Sequence, residues 1–126
     1  MSNKKFYICE KCGNIIDKIS DSGVTPMCCG QKMSVLEAGS IEASREKHIP
    51  EVKIDGNHVS VFVGSVEHPM SEEHSILWIY LETDKGAHYK YLKAGEAPAA
   101  EFDLAGEKPV SVYAYCNLHG LWKSEI

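Results

Sequence analysis

Apolar residues recur at every second position in several short segments beyond residue 37. A valine occupies alternate positions between residues 58 and 63, and small apolar residues do the same between 110 and 114. A period of two places side chains on one face of a β-strand, and Asp55-Gly56-Asn57 is typical of a hairpin turn. The predicted strands are Glu51–Ile54, Val59–Val66, Ile76–Thr83, His88–Lys93, Val110–Cys116 and Leu121–Ile126.

Helical periodicity is weak throughout the chain. Apolar residues do not keep a helical period over three turns, and the segment Ser40–Lys47 fits either a short helix or an irregular loop. Several short strands separated by turn residues favour an antiparallel β-sandwich. The sequence therefore predicts a mainly β protein.

The first 36 residues have a different character. Phe6–Gly13 is typical of a short strand that enters a metal knuckle, and Pro26–Gly30 is typical of the returning turn. A module of roughly 35 residues buries too little apolar surface to fold unaided, so a cross-link is expected. We predict two domains, a metal-knuckle module over residues 1–36 and a β domain over residues 37–126.

Charge and hydropathy exclude some functions. The chain of 126 residues has a formal charge of −5, and residues 37–126 carry −7 because residues 1–36 contain five lysines and three acidic residues. This acidic balance argues against a general nucleic-acid binder. The first twelve residues lack the apolar core of a signal peptide, and no later stretch reaches membrane-spanning length. We expect a soluble, cytoplasmic protein.

Four of the five cysteines lie in the first quarter of the chain, at Cys9, Cys12, Cys28 and Cys29. An odd number without a secretory signal argues against a disulfide framework. A C-x2-C pair followed by a second pair predicts a tetrahedral four-sulfur metal site, but the spacing does not distinguish zinc from iron. The adjacency of the second pair predicts a distorted centre.

The fifth cysteine belongs to a second motif, Cys116-Asn117-Leu118-His119-Gly120. A C-x2-H turn that ends in glycine can direct a sulfur and an imidazole to one ion. Cys116 also keeps the phase of the apolar face of its strand, so a buried cysteine that acts as a small hydrophobic residue explains it equally well. An isolated histidine is usually an ordinary residue, and the chain has six.

Each of the two predicted domains resembles a known family. Residues 1–36 resemble desulforedoxin, whose adjacent cysteine pair helps to hold a distorted rubredoxin-type Fe(Cys)4 centre. Residues 37–126 resemble the iron domain of desulfoferrodoxin and neelaredoxin through three motifs in the same order. These are Glu46-Lys47-His48-Ile49-Pro50, His68-Pro69-Met70 with His74, and Cys116-Asn117-Leu118-His119-Gly120-Leu121-Trp122.

The resemblance implies two iron ions per chain and an immunoglobulin-like antiparallel β-sandwich. The four N-terminal cysteines would hold the first ion. Four equatorial imidazoles and an axial thiolate would hold the second, whereas His58 and His88 match no ligand position. The implied second set is His48, His68, His74, His119 and Cys116.

Five protein ligands leave one octahedral position open, and an open position implies a substrate. A thiolate opposite that position donates electron density and favours reduction of a bound oxygen species. The resemblance implies a superoxide reductase that uses an external donor such as rubredoxin and forms a homodimer. It also implies that Lys47 attracts superoxide and positions a proton-donating water, and that Glu46 occupies the sixth position in the resting ferric state.

Two other functions remain compatible with the sequence. A zinc ribbon fused to an immunoglobulin-like binding domain would explain the cysteines and the strands, and metal analysis would identify it. A dismutase would use the same substrate, and its peroxide yield would identify it. The role of the four-cysteine centre, as electron relay or as structural support, also stays open.

Overall fold

β-Strands carry almost all of the regular structure in the computed structural model, which describes residues 4–126. The chain divides into two compact units, one ending at Glu37 and the other beginning at Ala38. Within the described residues, no helix is long and apolar enough to cross a membrane. The mainly β prediction is confirmed.

The first unit contains two small antiparallel sheets. A two-stranded hairpin carries the second cysteine pair, and a three-stranded sheet of order β2-β1-β5 carries the first. Its core is small and consists of Tyr7, Cys9 and Met33, with Ile16 and Cys28 packed against them. The strands are β1 (Phe6–Ile8), β2 (Ile15–Asp17), β3 (Met27–Cys28), β4 (Gln31–Lys32) and β5 (Ser34–Leu36).

The second unit is an antiparallel sandwich of seven strands. A three-stranded sheet of order β10-β7-β6 faces a four-stranded sheet of order β12-β11-β8-β9. One short helix, α1 (Arg45–His48), precedes the first strand. The strands are β6 (Pro50–Asp55), β7 (His58–Val63), β8 (Ile76–Thr83), β9 (Gly86–Tyr91), β10 (Ala99–Asp103), β11 (Pro109–Cys116) and β12 (Gly120–Glu125).

The alternating residues of both sheets meet in one core. Val59, Val61 and Val63 point inward from β7, and Val112 and Ala114 point inward from β11. All five are almost completely buried. This arrangement is that of an immunoglobulin-like sandwich, with an inner apolar face on each sheet, and Cys116 lies at the end of the same buried row.

Most predicted strands are present, with three differences. The strand predicted over Val59–Val66 ends at Val63, because Gly64 donates to the carbonyl of Val66 and turns the chain. The strand predicted over His88–Lys93 runs from Gly86 to Tyr91. Strand β10 was not predicted, since alanine and acidic residues are uncommon in strands.

Candidate metal centres

The four N-terminal cysteines converge in the first unit. Cys9 and Cys12 lie on the turn after β1, Cys28 ends β3, and Cys29 begins the turn to β4. Their four sulfurs lie within 4.8 Å of one another, with 3.6 Å between Cys12 and Cys28 and 4.0 Å between Cys28 and Cys29. Sulfurs bound tetrahedrally at 2.3 Å would be about 3.8 Å apart. The group therefore fits one metal ion.

Backbone and amide groups surround these sulfurs. The Cys12 amide points to the Cys9 sulfur at 3.4 Å, and Asn14 Nδ2 donates to the Cys28 sulfur at 3.7 Å. Cys29 has a φ of 52°, which is uncommon for a residue other than glycine. The second of the two adjacent cysteines thus adopts a left-handed backbone where its sulfur joins the group.

Hydrogen bonds among the cysteines shift the pKa values of three of the thiols in different directions. The hydrogen bond from the Cys12 backbone lowers the pKa of Cys9 to about 6. Side-chain hydrogen bonding with Cys12 raises the pKa of Cys28, and it raises the pKa of Cys29 to about 12. One thiolate forms readily in the metal-free chain and others are disfavoured beside it. A bound metal ion would favour the thiolate form of all four.

Four histidines of the second unit form a square. The ring centroids of neighbouring corners are 4.5 Å apart for His48 and His68, 4.7 Å for His68 and His74, and 5.0 Å for the pairs that His119 makes with His74 and with His48. The diagonal from His48 to His74 measures 6.3 Å. Neighbouring rings are nearly perpendicular, which is the arrangement of four imidazoles around one point.

Two of these rings, His48 and His68, have an unprotonated nitrogen that faces the other ring. The Nδ1 of His48 lies 2.6 Å from the carbonyl of Ser44, and the Nδ1 of His68 lies 2.7 Å from the carbonyl of Pro69. Since a carbonyl only accepts, each Nδ1 carries the proton and each Nε2 has a free lone pair. The two Nε2 atoms are nevertheless 3.0 Å apart. Two lone pairs at this distance repel unless a cation lies between the rings and binds both.

The other donors complete the set. Within residues 4–126, the Nε2 of His74 is buried without a hydrogen-bond partner. The Nδ1 of His119 lies 3.2 Å from the Nε2 of His48 and 3.9 Å from the Cys116 sulfur. Cys116 is fully buried, and its sulfur groups with the donor nitrogens of His48, His68 and His74. Equatorial nitrogens bound at 2.1 Å would lie about 3.0 Å apart. The donor set therefore fits a metal ion.

Burial controls the charge of these ligands. Desolvation lowers the pKa of His48 and His74, and it lowers the pKa of His68 to about 4. The rings are therefore neutral near pH 7, the form that binds metals. Burial raises the pKa of Cys116, so its thiolate needs the charge of a bound ion.

Glu46 and Lys47 lie on α1, immediately before His48, and both are exposed. Lys47 and His68 line an open cleft of about 420 Å³ beside the square. His68 is the corner of the square that contributes to the lining of the cleft. Lys47 is its only basic lining residue, and the lining also includes Glu67 and Glu96.

The two histidines without a matching ligand position lie elsewhere. His58 is clamped between Glu101 and Asp103 at 2.7 Å each, and His88 contacts Glu107 at 3.2 Å. The carbonyls of Ser44 and Pro69, which fix the ring tautomers, were not anticipated because backbone acceptors leave no sequence signal.

Comparisons with known proteins agree with this arrangement. The desulfoferrodoxin family profile matches residues 40–125. A desulfoferrodoxin homologue of Archaeoglobus fulgidus is 45% identical over 94% of this chain and 94% of its own length. Desulfoferrodoxin of Nitratidesulfovibrio vulgaris is 43% identical over 96% of this chain and 95% of its own.

Solved structures are similar as well. The superoxide reductase of Treponema pallidum superposes with a TM-score of 0.82 at 34% identity, covering 98% of this chain and 100% of that one. The one-iron superoxide reductase of Giardia intestinalis superposes with a TM-score of 0.55 at 33% identity, covering 64% of this chain and 97% of that one. The likeness to the first structure thus spans both units.

Proposed function

The chain belongs to the desulfoferrodoxin family, and we propose on that basis that it is a superoxide reductase with two iron ions. The observation that carries this proposal is the square of four imidazoles, three of which share one small region with the sulfur of the buried Cys116. Five donors of this kind leave one of six positions for a substrate. A purely structural zinc site closes its coordination shell with four protein ligands.

We assign the ligands that the family resemblance implies. The first iron ion is held by Cys9, Cys12, Cys28 and Cys29. The second is held by His48, His68, His74, His119 and Cys116. Residues 1–36 and 37–126 are separate domains, and each is built around one ion.

Around the second centre, the protein must first attract a negatively charged substrate. Superoxide is an anion, whereas residues 37–126 carry a formal charge of −7. Fast capture therefore needs a local positive field at the open position. The ammonium group of Lys47, beside His48 and in the wall of the cleft, supplies that field.

Reduction then requires one electron and two protons for each superoxide. Iron held by these five ligands would supply the electron, and an external donor would restore it. Lys47 holds a water that delivers one of the two protons, solvent supplies the other, and hydrogen peroxide leaves without formation of dioxygen. The buried Cys116 thiolate would bind the ion and donate electron density to it, and Glu46 would be a further ligand in the resting ferric state.

The proposal includes partners and a location that follow from the family resemblance. The electron donor is of the rubredoxin type, the protein forms a homodimer, and it acts in the cytoplasm. The four-cysteine centre acts either as an electron relay or as a structural support. A one-iron superoxide reductase matches 64% of this chain over 97% of its own length, and the family resemblance implies activity without the four cysteines, so the chemistry itself is assigned to the second centre.

The decisive experiment is the yield of hydrogen peroxide per superoxide consumed by the reduced, iron-loaded protein, with dioxygen followed in the same sample. One peroxide per superoxide, with stoichiometric oxidation of iron and no dioxygen, is expected. Half that yield together with dioxygen would identify a dismutase. A protein that contains one zinc ion and no iron, and that consumes superoxide no faster than the spontaneous reaction, would be a binding module instead.

A further inference from the structure

The one-turn helix that carries Lys47 has few anchors of its own. It spans only Arg45–His48, and its N-cap residue Ser44 makes no side-chain capping bond. Its own hydrogen bonds run from Ile49 to Arg45 at 2.9 Å and from Lys47 to Ser44 at 3.3 Å. An isolated turn of this length is unstable in water. Other contacts must therefore hold it in place.

The turn after β7, residues Gly64–Val66, supplies such contacts. The Val66 amide donates to the backbone carbonyl of Glu46 at 2.9 Å, and the Ser65 hydroxyl donates to the same oxygen at 3.2 Å. The Gly64 amide donates to the Val66 carbonyl at 3.2 Å and closes the turn. Two donors thus fix the single carbonyl that immediately precedes Lys47.

Gly64 also sets the distance between the two turns. A Cβ atom at this position would lie 2.5 Å from the carbonyl oxygen of Glu46 and 2.9 Å from that of Ile49. Both contacts are with backbone, which cannot rotate away as a flexible side chain can. Only glycine allows the helix to approach so closely, because it lacks a Cβ.

We propose that Gly64, Ser65 and Val66 are positioning residues that hold Lys47 at the mouth of the cleft beside the histidine square. They do not contact the ion site themselves and act through the Glu46 carbonyl. The inference rests on the proposed function, since it assigns these residues to the capture of superoxide. A merely structural role, in which the turn only ends β7, would change stability without changing the effect of the Lys47 charge.

A double-mutant cycle separates the two roles. The rate constant of superoxide capture by the reduced, iron-loaded protein is measured against ionic strength for wild type, Gly64→Ala, Lys47→Ile and the double variant. Lys47→Ile is expected to slow capture about tenfold at low salt and to flatten the salt dependence. In the Gly64→Ala background, Lys47→Ile should lower the capture rate constant by less than about twofold. The effects of substitutions at residues that act together are not additive.

The matched control is Gly56→Ala. Gly56 has a φ of +60° and open space around its α-carbon, so alanine there strains the β6–β7 hairpin without reaching the helix. The salt dependence of superoxide capture by this variant should equal that of wild type. Adding Lys47→Ile to it should slow capture as much as in wild type. Full additivity of Gly64→Ala with Lys47→Ile would overturn the inference.

A second measurement needs no superoxide. Ser65→Ala removes one donor to the Glu46 carbonyl and should speed amide exchange at Val66 about fivefold, the worth of one hydrogen bond. Ser65→Thr keeps a hydroxyl and should restore protection. Unchanged exchange in Ser65→Ala would refute the contact, whereas a wild type that fails to reduce superoxide would refute the proposed function separately.

Discussion

The indole nitrogen of Trp122 donates a hydrogen bond to the backbone carbonyl of His119 over 3.0 Å. The same indole lies 5.0 Å from the ring of His48, at an angle of 31° between the planes. One buried side chain therefore restrains two neighbouring corners of the histidine square. Residues that orient metal ligands contribute to metal affinity without touching the ion.

Trp122→Phe should consequently weaken iron binding at the second centre. The change keeps an aromatic ring against His48 but removes the hydrogen bond to His119. We expect about a tenfold lower affinity, measured by competition with a chelator that has a calibrated iron affinity. Trp78→Phe is the matched control, because Trp78 stacks on Tyr115 instead. Equal affinities in both variants would contradict the orienting role.

Features that depend on neighbouring residues could be predicted from the sequence, whereas contacts between residues far apart in the chain could not. Strand β8 was predicted with its observed bounds, because alternation and turn residues are local. The histidine square joins residues from α1 to the turn between β11 and β12, and only the family resemblance could bring them together. The contact of Gly64 with the Glu46 carbonyl was missed, since a glycine that permits close packing is identical in sequence to one in an ordinary turn.

Cys116→Ser should abolish both the sulfur-to-iron charge-transfer absorption of the oxidised second centre and the reduction of superoxide. A serine oxygen is a weaker electron donor than a thiolate. The four imidazoles should still retain iron, which metal analysis can check. A variant that kept the absorption and the turnover would remove Cys116 from the ligand set.

Asn14→Leu should shift the reduction potential of the four-cysteine centre to a more negative value. The amide of Asn14 donates to the Cys28 sulfur, and a hydrogen bond to sulfur stabilises the more negatively charged reduced state. An optical redox titration measures the change, and the second centre of the same protein serves as an internal reference. Identical potentials in variant and wild type would show that this bond does not tune the centre.

Cys12→Ser should unfold the first unit and leave the second intact. The core of the first unit is confined to a few residues around Tyr7, Cys9 and Met33, and chains of fewer than about 40 residues usually need a metal or another cross-link. Amide exchange should lose protection over residues 4–37 and keep it over 38–126. Peroxide yield from the second centre should persist, and continued protection of the first unit would contradict a structural role for its metal.

The clamp on His58 makes the stability of the second unit depend on pH. Hydrogen bonds from the ring to Asp103 and then to Glu101 raise the pKa of His58, and Asp55 lies opposite it in the β6–β7 pairing. Because the folded pKa is above the unfolded value, the protonated ring contributes stability fully below about pH 6.5. That contribution is lost as the pH rises through the folded pKa.

His58→Gln should therefore destabilise the protein at low pH and have progressively less effect above neutrality. Chemical unfolding followed by tryptophan fluorescence reports on the second unit alone, since Trp78 and Trp122 both lie in it. The difference in midpoint between wild type and variant is measured from about pH 5.5 to pH 8.5. Asp103→Asn removes the main partner and should flatten the dependence in the same way. A constant difference across this range would show that the ring is not held as a cation, because only the charged ring can donate to both carboxylates at once.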